Sequence, residues 1–115
     1  MLPAEAVLGA WEATRQRIML LLSHAGRVVR RRVIVKGCVQ GVFFRDSCRR
    51  EALAKGVVGW VHNRVDGAVE AALEGEAEAV DLVVAWMRSG PRHASVEAVD
   101  VREDEPMGET GFSIR

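Results

Sequence analysis

The stretch Val57-Val58-Gly59-Trp60-Val61-His62-Asn63-Arg64-Val65-Asp66-Gly67-Ala68-Val69-Glu70-Ala71-Ala72-Leu73 decides how this chain folds. Its first five residues, Gly59 apart, are β-branched or aromatic and read as a strand. Asp66-Gly67 is a strong short hairpin signal, so Val69 to Leu73 returns as the next strand. On either side of this hairpin lies a helix. Upstream, Arg45 to Lys55 sets Cys48, Ala52 and Leu53 on one face and is closed by Gly56. Downstream, Val80, Val83, Val84 and Met87 recur at i, i+3, i+4 and i+7. Glu76 and Glu78 suit the positive end of that helix, and Gly90-Pro91 ends it. Outside the helices, Arg31 to Lys36 alternates as a strand. Val96 to Val101 forms another, with a bulge because Val96 and Val99 are out of phase. Phe112 and Ile114 mark a short last strand. The order βαββαβ, with a final β, predicts the α+β class: a ferredoxin-like α/β sandwich with an antiparallel sheet and two helices on one face.

The chain divides unevenly. Residues 1–27 read as an N-terminal extension, either a helix carrying Val7, Leu8, Trp11 and Ile18 on one stripe or a poorly ordered leader. Residues 28–115 form the one domain that 115 residues can supply. No apolar run approaches the ~20 residues of a membrane span. The two cysteines, Cys38 and Cys48, are too few for a disulfide framework and fit no zinc spacing. A cytoplasmic protein is expected. The 16 basic and 16 acidic residues balance, but bases dominate from Arg30 to Lys55 and acids from Asp66 onward. A basic front half would attract a small anion, although complementary solvated faces produce the same pattern.

The start of the first helix is unusual. A helix usually opens with Ser, Thr, Asp or Asn, whose side chain accepts from the unpaired amides of the first turn. Here Val42, Phe43 and Phe44 precede it, and none has a side chain that accepts. Arg45 then sets a cation near the positive end of the helix dipole. An anion bound at that point removes both difficulties, because loop amides and a guanidinium fork would converge on it. Alternatively, Asp46 or Ser47 caps a helix that starts one turn later and Arg45 is simply solvated. Local physics leaves the two readings level.

The longer string carries more. Val35-Lys36-Gly37-Cys38-Val39-Gln40-Gly41-Val42-Phe43-Phe44-Arg45 resembles the first signature of the acylphosphatase family, apolar-x-Gly-x-Val-Gln-Gly-Val-x-Phe-Arg. The second follows at the right distance: Gly59-Trp60-Val61-His62-Asn63, three residues, Gly67, one residue, Val69, five residues, Gly75. His62 stands where Arg, Lys or Gln is more usual. The resemblance extends from Arg30 to Arg115 and includes the Phe-x-Ile-Arg ending.

It implies an enzyme that hydrolyses the carboxyl–phosphate bond of small acyl phosphates. Arg45 and the backbone of Gln40, Gly41, Val42, Phe43 and Phe44 would bind the phosphate, and Asn63 would position the water. No metal and no cofactor would be needed, and a monomer without nucleic-acid or membrane partners is expected. A non-catalytic module that binds phosphate or another anion through the same loop is the alternative. RNA binding ranks lower, because the stacking aromatics of RNA-recognition sheets are not evident and tyrosine is absent. His24, His62 and His93 are too dispersed to act as ligands, and Cys38 has no base beside it. Glu74, Glu76 and Glu78 read as strand-end and helix-start charges. Trp60 and Trp86 are expected to pack the sheet against the second helix.

Overall fold

The elements run β1 (Val28–Cys38), α1 (Phe44–Ala54), β2 (Val58–Asn63), β3 (Val69–Glu76), α2 (Ala77–Met87), β4 (Ser95–Asp104) and β5 (Phe112–Ile114). They come from a computed structural model that describes Glu12, Thr14, Arg15 and residues 27–115. Apart from those first three residues, which are helical, and Arg27, the expected extension over 1–27 lies outside the described residues.

The five strands form one sheet in the order β4-β1-β3-β2-β5. Neighbours pair antiparallel, except that β5 runs parallel to β2. The sheet is therefore mixed, where an antiparallel one was expected. The cause is geometric. β4 runs against β1 on one edge, so the chain must reverse after it to reach the far edge, and β5 then points along β2. The fold is ferredoxin-like, with α1 packed on β2 and β5 and α2 on β1 and β3.

Between sheet and helices lies one apolar core. Val29, Val33 and Val35 of β1 meet Val61, Val69, Ala71 and Leu73 from the sheet. Phe44, Cys48 and Ala52 from α1 and Ala77, Val80, Val83, Val84 and Met87 from α2 close over them. The α2 stripe is the expected one. On α1 the expectation fails at Leu53, which is 47% exposed. Phe44, Cys48 and Ala52 repeat every fourth residue, and Leu53 lies about 100° around the helix from Ala52, off that stripe.

The β4 bulge is present. Lys36 faces Ala98 but Gly37 faces Val96, leaving Glu97 as the extra residue. Gly37 adopts φ 131°, and a Cβ there would sit 2.1 Å from the Ser95 carbonyl oxygen, so only glycine permits β4 to approach this closely.

Strand parity corrects the reading of Trp60. Val61 points into the core, so Trp60 and His62 point to the opposite, open face. There the indole lies under two guanidiniums, Arg32 at 5.1 Å and Arg115 at 4.7 Å from the ring centroid. His62 meets its edge at 5.2 Å. Although the open face does carry an aromatic residue, these neighbours leave it buried rather than displayed for stacking. Trp86 does pack on the helix side, against Phe44 at 5.4 Å.

Glu74 is more than a strand-end charge. It is 4% exposed and accepts from the amides of Met107 (2.6 Å), Gly108 (2.9 Å) and Glu109 (2.9 Å). It also receives Nη1 of Arg30 at 3.3 Å, and Arg30 is itself only 2% exposed. Burial alone would raise the Glu74 carboxyl. The amides of Met107 and Glu109, the Arg30 guanidinium and the Gly108 amide outweigh it and hold the group below the usual carboxylate range. The cluster thus fastens the β4–β5 connection across the open face. Removing Glu74 leaves three amides without their acceptor, while Arg30 keeps Glu109 at 3.2 Å and Asp104 at 3.4 Å. Glu74→Ala is therefore expected to lower stability by about 2–3 kcal/mol in urea denaturation at neutral pH. A loss below about 1 kcal/mol, the scale of an exposed pair, would contradict this account of the cluster.

Candidate active site

Strand direction assembles the site. β1 and β2 both run against β3, and β5 runs with β2, so all three end at the same side of the sheet. From the end of β1 hangs the loop that leads into α1. β2 ends in Asn63, and β5 in Ile114, beyond which the Arg115 amide donates to the Val61 carbonyl at 2.8 Å.

The loop alternates inward and outward. Val39 and Phe44 are buried in the core and Val42 packs against it, whereas Gly41 and Phe43 face solvent. Two residues take left-handed backbone. Gly41 has φ 76° with no atom within 4 Å of a Cβ position, so its glycine serves conformation rather than space. Phe43 has φ 61° and ψ 25°, which costs a non-glycine residue about 1 kcal/mol. Phe43 is also the helix cap, and its side chain caps nothing. The first helical hydrogen bond runs from the Ser47 amide to the Phe43 carbonyl at 3.1 Å. The helix therefore begins at Phe44, not one turn later, which removes the alternative in which Asp46 or Ser47 caps it. The amides of Phe44, Arg45 and Asp46 come before that first bond and lie at the positive end of α1.

A cleft of about 390 Å³ opens beside this helix start, lined by Val39, Gly41, Phe43, Phe44, Arg45, Asp46, Asn63 and Ile114. Arg45 and Asn63, separated by 17 residues, thus share one wall-to-wall space. Arg45 is half-buried and donates Nη1 to the main-chain oxygen of Arg115 at 3.3 Å. Among the described residues no Asp or Glu side chain pairs with it, and the Asn63 side chain makes no hydrogen bond. Arg49 donates to the Phe112 carbonyl at 3.1 Å and ties α1 to β5.

Two of the expected loop residues stand apart from the cleft wall. Val42 turns to the core. Gln40 sends its side chain to the β2–β3 turn, where Nε2 donates to the carbonyls of Arg64 (2.7 Å) and Ala68 (3.0 Å). Conversely, Val39, Asp46 and Ile114 line the cleft without having been singled out from sequence. Ile114 lies 51 residues beyond Asn63, and only the parallel pairing of β5 with β2 brings them together.

Other reactive groups are engaged elsewhere. His62 sits 2.8 Å from Glu70 on the open face. Burial would raise the Glu70 carboxyl, but hydrogen bonds and charge from His62 and Arg32 bring it below the ordinary range. Cys38 is exposed at the end of β1 and does not line the cleft. Cys48 is fully buried, and desolvation, with the Glu51 charge, pushes its thiol up to about 12. A thiol so raised is inert at neutral pH. Among the described residues no three His, Cys, Asp or Glu come together to hold a metal ion, and no helix is long and apolar enough to cross a membrane.

Comparison with known proteins gives this geometry a family. Residues 31–114 match the acylphosphatase family model. An acylphosphatase of Rubrobacter xylanophilus is 54% identical over 96 residues, covering 82% of this chain and 86% of its relative. One from a Roseiflexus species is 56% identical over 88 residues, covering 76% and 95%. Among solved structures, an acylphosphatase from Coxiella burnetii superposes with a TM-score of 0.74 at 35% identity, covering 76% of this chain and 93% of that one. With the model spanning β1 to β5 and relatives more than half identical across that span, the chain belongs to the acylphosphatase family.

Proposed function

We propose that Arg45 and the backbone amides from Gln40 to Phe44 bind the phosphoryl group of a small acyl phosphate, and that Asn63 holds the attacking water in line with phosphorus. The reaction class follows from family membership: the chain is an acylphosphatase, which cleaves a carboxyl–phosphate bond to carboxylate and inorganic phosphate. One observation carries the assignment of residues. A half-buried guanidinium with no Asp or Glu partner among the described residues stands beside an uncapped helix start, in the same cleft as an asparagine whose side chain has no hydrogen bond among those residues. Alone, the cation and the helix dipole oppose each other. A phosphate between them satisfies both.

The chemistry suits so sparse a site. Water oxygen attacks phosphorus, the bond to the acyl oxygen breaks, and its electron pair departs on the carboxylate. The proton of the water passes to a phosphate oxygen, so no protein base is required. Because the leaving carboxylate is a weak base, no protein acid is required either. The transition state is loose, and positioning and charge neutralisation supply most of the rate. The reaction is proposed to proceed without metal. We place the enzyme in the cytoplasm, where its two unpaired thiols would stay reduced.

Purified protein is expected to hydrolyse benzoyl phosphate in excess chelator. In ¹⁸O-water the label should enter inorganic phosphate and not benzoate. Activity that disappears with chelator and returns with a divalent metal would overturn the metal-free mechanism, and label in benzoate would overturn attack at phosphorus.

A further inference from the structure

We infer that the Gln40 side chain is a positioning residue for hydrolysis: it holds the end of β2, and with it Asn63, at a fixed distance from the loop that carries Arg45. This inference rests on the roles proposed above for Arg45 and Asn63. It starts from a topological gap. β1 and β2 are not neighbours, since β3 lies between them. Arg45 follows β1 and Asn63 ends β2, so the two proposed catalytic side chains belong to segments the sheet does not join directly. Gln40 spans that gap. Its Nε2 uses both hydrogens, at 2.7 Å to the Arg64 carbonyl and 3.0 Å to the Ala68 carbonyl. Among the described residues these are the only hydrogen bonds between the cradle loop and the end of β2 or the turn after it.

The anchor point is well chosen to transmit position. Arg64 directly follows Asn63, and Ala68 directly precedes Val69, the cross-strand partner of Asn63. The turn between them is already closed by Arg64 N–H to the Ala68 carbonyl (2.8 Å) and Gly67 N–H to the Arg64 carbonyl (3.2 Å). Asp66 stiffens it further by accepting the Ala68 amide at 3.1 Å. A clamp on the two carbonyls thus moves the turn as a unit, and Asn63 with it. On the other side, Gln40 is bonded to Gly41, the first left-handed residue of the cradle. Only a side chain of this length with two hydrogens on one nitrogen satisfies both carbonyls. Glutamate when ionised has no donor, and methionine has none at any pH.

Gln40→Met keeps the length and removes the donors. Its kcat for benzoyl phosphate is expected to fall on the order of 10- to 100-fold, the scale of a small misplacement of reacting groups. Competitive inhibition by inorganic phosphate should fall far less than kcat, because the substitution keeps the Gln40 amide and the Arg45 guanidinium. In an Asn63→Ala background the same change should cost less than about twofold, since the residue it positions is gone. A role in stability alone predicts otherwise: wild-type kcat in the folded variant, or a loss that multiplies in the double variant. Either result overturns the inference. Gln40→Glu supplies a second readout should the methionine variant not fold. Its kcat relative to wild type should rise as pH falls between about 7 and 5, where a protonated carboxyl regains one donor; a flat ratio overturns the inference. The two readings fail separately. Full activity in Asn63→Ala defeats the proposed role of Asn63, whereas an impaired Asn63→Ala beside an unimpaired Gln40→Met defeats the clamp alone.

Discussion

Arg45→Ala is expected to lower kcat/KM for benzoyl phosphate by about three orders of magnitude or more and to abolish competitive inhibition by phosphate. The guanidinium supplies a planar fork of donors and a full charge at the point where the phosphoryl oxygens would lie. Among the described residues no other cation lines the cleft to replace it. Arg45→Lys restores charge without the fork and should recover only part of the loss. The same substitution makes an opposite forecast for stability. Arg45 stands in the first turn of α1, where a cation is unfavourable by about 0.3–1 kcal/mol, and among the described residues its side chain bonds only to the Arg115 main chain. Arg45→Ala should therefore unfold at the same denaturant concentration as wild type or slightly higher. Loss of activity joined to loss of fold would mean that Arg45 is structural.

Much of the fold was legible because its signals were local and redundant. The Asp66-Gly67 turn, the α2 stripe and the out-of-phase valines of β4 each state their structure within a dozen residues. What escaped depended on partners far along the chain. The direction of β5 is set by where β4 ends, which no three-residue strand can announce. Glu74 became buried because Arg30 and the amides of residues 107–109 meet it from 33 to 44 positions away. Trp60 is a different case. Period-two parity with the apolar Val61 would have sent it to the open face, had alternation been weighed above the general habit of tryptophan to enter cores.

The site divides in the same way. Arg45 was half legible: an uncapped helix start and an adverse cation ask for an anion, but a capped start one turn later stood level with that reading until the structure placed the start at Phe44. Asn63 was not: one asparagine before a turn reads as a turn residue, and only the family pattern raised it. Its place in the cleft follows from β1 and β2 pointing the same way, a property of the sheet as a whole. Gln40 was assigned for its backbone, while its side chain proves to bond a turn 24 to 28 residues distant. Ile114 gave no signal, because its approach depends on the parallel β2–β5 pairing.

Asn63→Ala, assayed beside wild type in chelator, tests the central claim most directly. The asparagine lines the cleft with no hydrogen bond to protein among the described residues, so its removal should cost little stability. If it orients the water, the variant loses that alignment in the transition state and keeps the phosphate cradle. The account predicts a kcat for benzoyl phosphate lower by on the order of 10²- to 10³-fold, with inhibition by phosphate unchanged. A folded Asn63→Ala protein that turns over at the wild-type rate would contradict it.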